Sequence, residues 1–149
     1  MNEEMDSKGL PLATTGQVRQ AASVIHGIGT DIVEVARIER ALTQHGERFA
    51  LRILAASEFV QFQDSAQPGH FLAKRFAAKE AGAKALGTGF ADGVTLKQLV
   101  VSSDPLGRPL LQMHDRAAEL CREFGVTDVH LSLADERAYA VAFVTLVRA

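Results

Sequence analysis

The stretch Phe71–Gly89, FLAKRFAAKEAGAKALGTG, constrains this chain more than any other. Its alanines predict a helix, and four cations and one acid are set into it at chosen intervals. At 100° per residue, Glu80 shares a face with Ala73, Phe76, Ala77 and Ala83, so a carboxylate lies on an otherwise apolar stripe. The neighbouring face carries Leu72, Arg75, Lys79 and Leu86. Arg75 and Lys79 form a like-charge i, i+4 pair, which costs a few tenths of a kcal/mol in an isolated helix. Two stacked cations suit an anion. The helix is expected to stop near Leu86, where Gly87 can take the left-handed conformation and Thr88-Gly89 continue as a loop.

A plain structural account of the same residues is also open. Glu80 and Lys84 form a favourable i, i+4 pair on a solvated helix, and Lys84 in the last turn offsets the helix dipole. Gly87-Thr88-Gly89 is a weak phosphate-loop signal, because phosphate cradles usually lie at the N-terminus of a helix and this segment follows a C-terminus. The helix needs a partner elsewhere in the chain to become a site.

The remaining bounds come from composition. A chain of 149 residues, 47% hydrophobic and 23% charged, fits one globular domain with an ordinary core. A net charge of −2 argues against a general nucleic-acid binder. One cysteine, Cys121, excludes an internal disulfide and a cysteine-rich zinc site, and a small buried thiol in a reducing cytoplasm is expected. No apolar run approaches the ~18 residues of a membrane span, and the first residues lack the pattern of a signal peptide.

Residues 1–24 show no sustained period and read as a mobile leader or an addition foreign to the natural chain, so the domain is taken as 25–149. A strand is predicted around Val24–Val35, with Ile28, Thr30 and Ile32 on one face and Gly29, Asp31 and Val33 on the other. Asp31 is then a second acid in an apolar setting, where a carboxylate must be hydrogen-bonded, paired or bound to metal. It also fits the N-cap of the helix that follows, from Glu34 to about His45. On that helix Arg37, Arg40, Gln44 and Arg48 recur at spacings of three and four, a basic stripe that is either solvated surface or a dock for an acidic partner. Phe49–Phe62 reads as an interrupted helical region, and Gln63–Gly69 as a loop.

Leu96–Ser102 and Pro109–Met113 are expected to pair about the turn Asp104–Gly107. A helix from about His114 to Phe124 ends at Gly125, and Val129–Leu133 with Ala138–Val147 form a second hairpin. Both faces of Ala138–Val147 are largely apolar, so both must be covered, and another subunit can supply part of the cover.

GIGTDIVEV, then RFAAKEA and KALGTG about forty residues on, resemble the holo-acyl-carrier-protein synthases, the small trimeric phosphopantetheinyl transferases, from about Ile25 to Val147. The resemblance implies an α+β fold, a small mixed domain with a mainly antiparallel sheet packed against a long central helix, assembled as a homotrimer. It implies a cytoplasmic enzyme of fatty acid biosynthesis that uses magnesium to transfer the 4′-phosphopantetheine arm of coenzyme A to a serine of acyl carrier protein, releasing adenosine 3′,5′-bisphosphate. No membrane and no nucleic acid are implied as partners.

Position by position, Asp31 and Glu80 match the family's magnesium ligands and, with Lys84, its catalytic group. Arg75, Lys79 and Lys84, with the loop amides of Gly87, Thr88 and Gly89, match positions that hold the coenzyme's phosphates. Arg37, Arg40 and Arg48 match the carrier-docking surface. Many relatives carry a histidine after the S-x-S/T of the penultimate strand, where this chain has Ala134 and Asp135 after Ser132-Leu133, which puts any coenzyme contact by that histidine in doubt here. Two rivals are a metal-dependent hydrolase of the same diphosphate and a non-catalytic coenzyme A-binding subunit; the pairing of Asp31 with Glu80 counts against the second.

Overall fold

A computed structural model describes residues 24–149, so the leader expected over residues 1–24 lies, up to residue 23, outside the described residues. Strand β1 (Ile25–Glu34) leads directly into three short helices, α1 (Val35–His45), α2 (Glu47–Ile53) and α3 (Ala56–Gln63), and then the long α4 (Pro68–Leu86). A 3₁₀ turn over Leu96–Gln98 precedes β2 (Leu99–Ser103) and β3 (Pro109–Met113); α5 (Asp115–Phe124), β4 (Val126–Asp135) and β5 (Tyr139–Arg148) complete the fold.

The sheet is antiparallel in the order β1-β5-β4, with β2-β3 as a separate hairpin. This is the small α+β architecture expected from the sequence, with α4 laid across the inner face of the larger sheet. The period-2 pattern decides which residues face the helix. Gly29 and Val33 of β1, and Ala140, Ala142, Val144 and Leu146 of β5, are buried there. In register, Asp31 stands opposite Ala142 and Ile32 opposite Val141.

Small residues bring β1 and α4 unusually close. A Cβ added to Gly27 would lie 2.1 Å from the Ala85 carbonyl oxygen, and one added to Gly29 would lie 1.9 Å from that of Ala81. Backbone meets backbone, so the glycines of GIGTD and the alanines of α4 are one packing unit.

Several element boundaries differ from the sequence reading. Helix α4 begins at Pro68, inside the stretch expected to be loop, because proline in the first turn has a pre-set φ and lacks a donor that would be unpaired anyway. It ends as expected, with Gly87 left-handed at φ 86°. The N-cap of α1 is Glu34, not Asp31, and it caps without its side chain; the first helical amide, Val35 N–H, donates instead to Ala138 O at 2.8 Å. Gly46, at φ 61°, breaks the helix after His45, so Arg48 sits on α2 and the basic stripe spans two helices. Cys121 is buried on α5, as expected.

The outer face of the sheet is apolar and open in the protomer. Ile28 and Ile32 on β1 are 60% and 63% exposed, and Tyr139 and Phe143 on β5 are 48% and 44% exposed. Among the described residues, helices cover only the other side.

Candidate functional site

The close crossing of β1 and α4 sets two acids and a lysine together. Asp31 points to the helix side of β1, partly buried. Lys84, in the last turn of α4, reaches across to it: its Nζ donates to Asp31 Oδ1 at 3.1 Å and to the Thr30 carbonyl at 3.0 Å. Glu80 lies one turn earlier on the same helix. Burial pushes the Glu80 carboxyl above its ordinary pKa, and the Asp31 charge pushes it further; Lys84 and Arg37 pull the other way. The two carboxylates therefore feel one another, and a cation between them relieves the repulsion.

Among the described residues, no group of three or more His, Cys, Asp or Glu side chains can hold a metal ion unaided. Two hard oxygen ligands with the remaining positions left to a ligand is the pattern of a magnesium ion shared with substrate phosphates. The donor set at Asp31 and Glu80 fits that ion. It does not fit a closed structural metal site.

The other half of the predicted anion site is arranged differently. Lys79 is completely buried, and its Nζ donates to Glu58 Oε1 at 2.6 Å, to Ile53 O at 2.8 Å and to Leu96 O at 3.1 Å. All three ammonium protons are engaged inside the protein, so the expectation that Lys79 holds a coenzyme phosphate is corrected. Arg75 shares the same acid: it lies 3.6 Å from Glu58 Oε2 and donates to Val101 O and to Gln61 Oε1. Its guanidinium stacks on Phe71 at 4.6 Å. Burial lowers the pKa of both cations, opposed by the Glu58 charge.

Glu58 was missed in the sequence. The signal was a short one, since Glu58 and Phe62 stand at i, i+4 on α3 and both are buried. It resolves the like-charge pair of Arg75 and Lys79 by placing an anion from another helix between them.

The Gly87-Thr88-Gly89 loop is likewise partly committed. Gly87 N–H donates to Lys84 O at 3.0 Å and Gly89 N–H to Ala83 O at 3.1 Å. These two amides close the helix end and do not point outward at an anion, which corrects their expected use as phosphate donors. Thr88 Oγ1 donates to Gly89 O at 2.9 Å.

Arg75 borders a pocket of about 280 Å³ that also takes in Lys74, Ser102, Ser103 and Asp135. Asp135 lies 4.0 Å from Lys74, so a lysine and an acid occupy the region where many relatives are expected to have their histidine. Ala134 is exposed. Arg37, Arg40 and Arg48 are exposed on α1 and α2, and Arg37 is near enough to act on Glu80.

Comparison with known proteins identifies the family of the chain and its fold. The family model for the 4′-phosphopantetheinyl transferase superfamily matches residues 27–144. A protein of Halorhodospira halophila named holo-[acyl-carrier-protein] synthase is 60% identical over 124 residues, covering 83% of this chain and 98% of its own length. The crystal structure of the enzyme of that name from Neisseria meningitidis superposes with a TM-score of 0.79 at 41% identity, covering 83% of this chain and 99% of the other. That from Bacillus anthracis, in complex with CoA (3′,5′-ADP), gives 0.71 at 35% identity, covering 85% and 100%.

Proposed function

This chain belongs to the 4′-phosphopantetheinyl transferase superfamily, and we propose that it acts as a holo-acyl-carrier-protein synthase, moving the phosphopantetheine arm of coenzyme A to a serine of apo acyl carrier protein. The observation that carries the reading is the meeting of Asp31, Glu80 and Lys84 at the β1–α4 crossing. Transfer requires a serine hydroxyl to attack the β-phosphorus of a diphosphate, with adenosine 3′,5′-bisphosphate departing. Negative charge grows on the phosphate oxygens as this happens.

Asp31 and Glu80 hold the magnesium ion, which when bound with the diphosphate supplies neutralisation of that charge. Lys84 is more than half exposed and its present partners are a carbonyl and a carboxylate on β1. From there its ammonium group turns to a phosphate oxygen, leaving the Asp31 carboxylate, 17% exposed, to the metal. Thr88, on the loop that follows α4, offers a hydroxyl oxygen as a further contact to the coenzyme. Arg75, through the edge left free in the pocket with Lys74, Ser102 and Ser103, meets a phosphate at the nucleotide end of the coenzyme.

Arg37, Arg40 and Arg48 form the dock for an acidic carrier, a reading supported by their exposure and by the influence of Arg37 on Glu80. The open outer face of the sheet, with Ile28, Ile32, Tyr139 and Phe143, is the contact of a homotrimer. No helix among the described residues is long and apolar enough to cross a membrane, and a cytoplasmic enzyme agrees with the single buried thiol. Incubation with coenzyme A, magnesium and apo carrier protein, followed by intact mass of the carrier, tests the reading. Addition of one phosphopantetheine to the serine is expected; an unchanged carrier with cleaved coenzyme would mean hydrolysis instead.

A further inference from the structure

We infer that Glu58 and Lys79 form an internal lock that fixes the rotation of α4 and thereby places Glu80 against Asp31. Both are positioning residues for the transfer, an inference that rests on the metal-dependent reading of the Asp31–Glu80 site. The need for a lock follows from what α4 is made of. Ala77, Ala78, Ala81, Ala83 and Ala85 are all buried, at most 2% exposed, and methyl groups form shallow ridges. Such a surface interlocks less deeply than one of large side chains, so directional contacts carry more of the task of fixing how the helix is turned.

The polar contacts of Lys79 are of the opposite kind. Its three protons meet three acceptors from three segments: Ile53 O at the end of α2, Glu58 Oε1 on α3, and Leu96 O in the 3₁₀ turn. Glu58 extends the network, accepting from Ala55 N–H at 3.0 Å through Oε1 and from Val101 N–H, on β2, at 3.1 Å through Oε2. Among the described residues no buried side-chain polar atom is left without a partner. Turning α4 by one residue would break these bonds together and strand an ammonium and a carboxylate in the interior. The register is therefore discrete.

Lys79 and Glu80 are consecutive, so their side chains leave the helix about 100° apart. Fixing Lys79 toward α3 and β2 fixes Glu80 toward β1. A buried ion pair is weak evidence for stability, and its best-attested use is setting register. Here the register it sets is that of a metal ligand.

The test pairs direct metal binding with stability. In the double variant Glu58→Leu/Lys79→Leu, both charges are replaced by apolar groups. Its melting temperature should stay near wild type, whereas its affinity for Mn²⁺, titrated by calorimetry in the presence of adenosine 3′,5′-bisphosphate, should fall by roughly tenfold or more, as for loss of residues that orient metal ligands. The metal concentration for half-maximal transfer should rise in parallel, with the KM for coenzyme A at saturating metal little changed. Should the double variant not fold, Glu58→Gln, which keeps the shape of the side chain, is read by the same titration. A folded variant of either kind that binds Mn²⁺ as tightly as wild type overturns the inference. If wild type transfers nothing but its Mn²⁺ binding is weakened by these variants, the lock stands and the proposed reaction falls.

Discussion

A methyl group on Gly29 would lie 1.9 Å from the carbonyl oxygen of Ala81, so strand and helix touch backbone to backbone beside the carboxylate site. Nothing but hydrogen fits there. Gly29→Ala must therefore push β1 off α4, and overpacking of this kind costs about 1–3 kcal/mol, a fall of roughly 4–15 °C in melting temperature for a domain of this size. Transfer should fall with it, because Asp31 rides on the displaced strand. Thermal unfolding by circular dichroism decides; a Gly29→Ala protein that melts and reacts like wild type would show that the close approach is not required.

Asp31→Asn and Glu80→Gln should each leave the fold intact and lower transfer on the order of 10²-fold or more, since each removes one of two anionic ligands for a hard cation that supplies several kcal/mol of charge stabilisation. Lys84→Ala should lower transfer as well, with less effect on the metal requirement. Rates measured against magnesium concentration separate the cases. Full activity of both carboxylate variants at limiting magnesium would remove the metal assignment.

The raised pKa of Glu80 carries a sign for stability in the absence of metal. The folded chain holds this proton more tightly than the unfolded one, so the contribution is complete below the ordinary carboxylate value of 4.5 and is lost as pH rises through the raised value. Metal-free wild type should therefore lose stability relative to Glu80→Gln across that window. Above it, magnesium should restore wild type and leave the variant nearly unmoved. Paired melting curves against pH, with chelator and with magnesium, are the measurement; a constant difference between the two proteins would contradict the account.

How far the sequence reaches is visible in α4 itself. Its stop at Gly87 and the apolar setting of Glu80 follow from local pattern, though its start at Pro68 does not, and the alternation in β1 placed Asp31 on the correct face. What could not be read was which partner each cation meets, because that depends on how separate elements pack. Arg75 and Lys79 looked like an anion site on the helical wheel, and they are one; the anion is the protein's own Glu58. Glycines signalled a phosphate loop at Gly87–Gly89, where two amides serve the helix end. The glycines that matter most for geometry, Gly27 and Gly29, gave no such signal, since their role depends on an oxygen more than fifty residues away in the chain.

Docking should respond to charge. Arg37→Glu and Arg48→Glu reverse exposed cations on α1 and α2 that face an acidic carrier in the proposed reaction. Each reversal should raise the carrier KM at least about fivefold, roughly 1 kcal/mol, with little change in coenzyme KM. Added salt should raise the wild-type carrier KM by screening the same charges. A carrier KM that is flat from low to high salt would leave these arginines as solvated surface.

The outer face of the sheet leads to the last prediction, that the active species is a trimer joined through β5. Val141 lies opposite Ile32 on β1, and Phe143 opposite Thr30 on β1 and Ser132 on β4, all on the face away from α4. Ile28, Ile32, Tyr139 and Phe143 leave that face apolar and open, a state that invites association, and closed symmetry limits association to a finite assembly. The number three is what the sequence resemblance implies. Val141→Asp puts a charge on this face, where it costs the isolated protomer little because the position is only half-buried and its ring of neighbours is open to water. Loss of assembly should therefore appear without loss of secondary structure. If sites are completed between protomers, transfer falls at the same protein concentration at which the trimer dissociates, although Val141 is on the opposite side of the sheet from Asp31. Light scattering and activity followed over one dilution series test both halves; a monomeric wild type that remains fully active at nanomolar concentration would refute the claim.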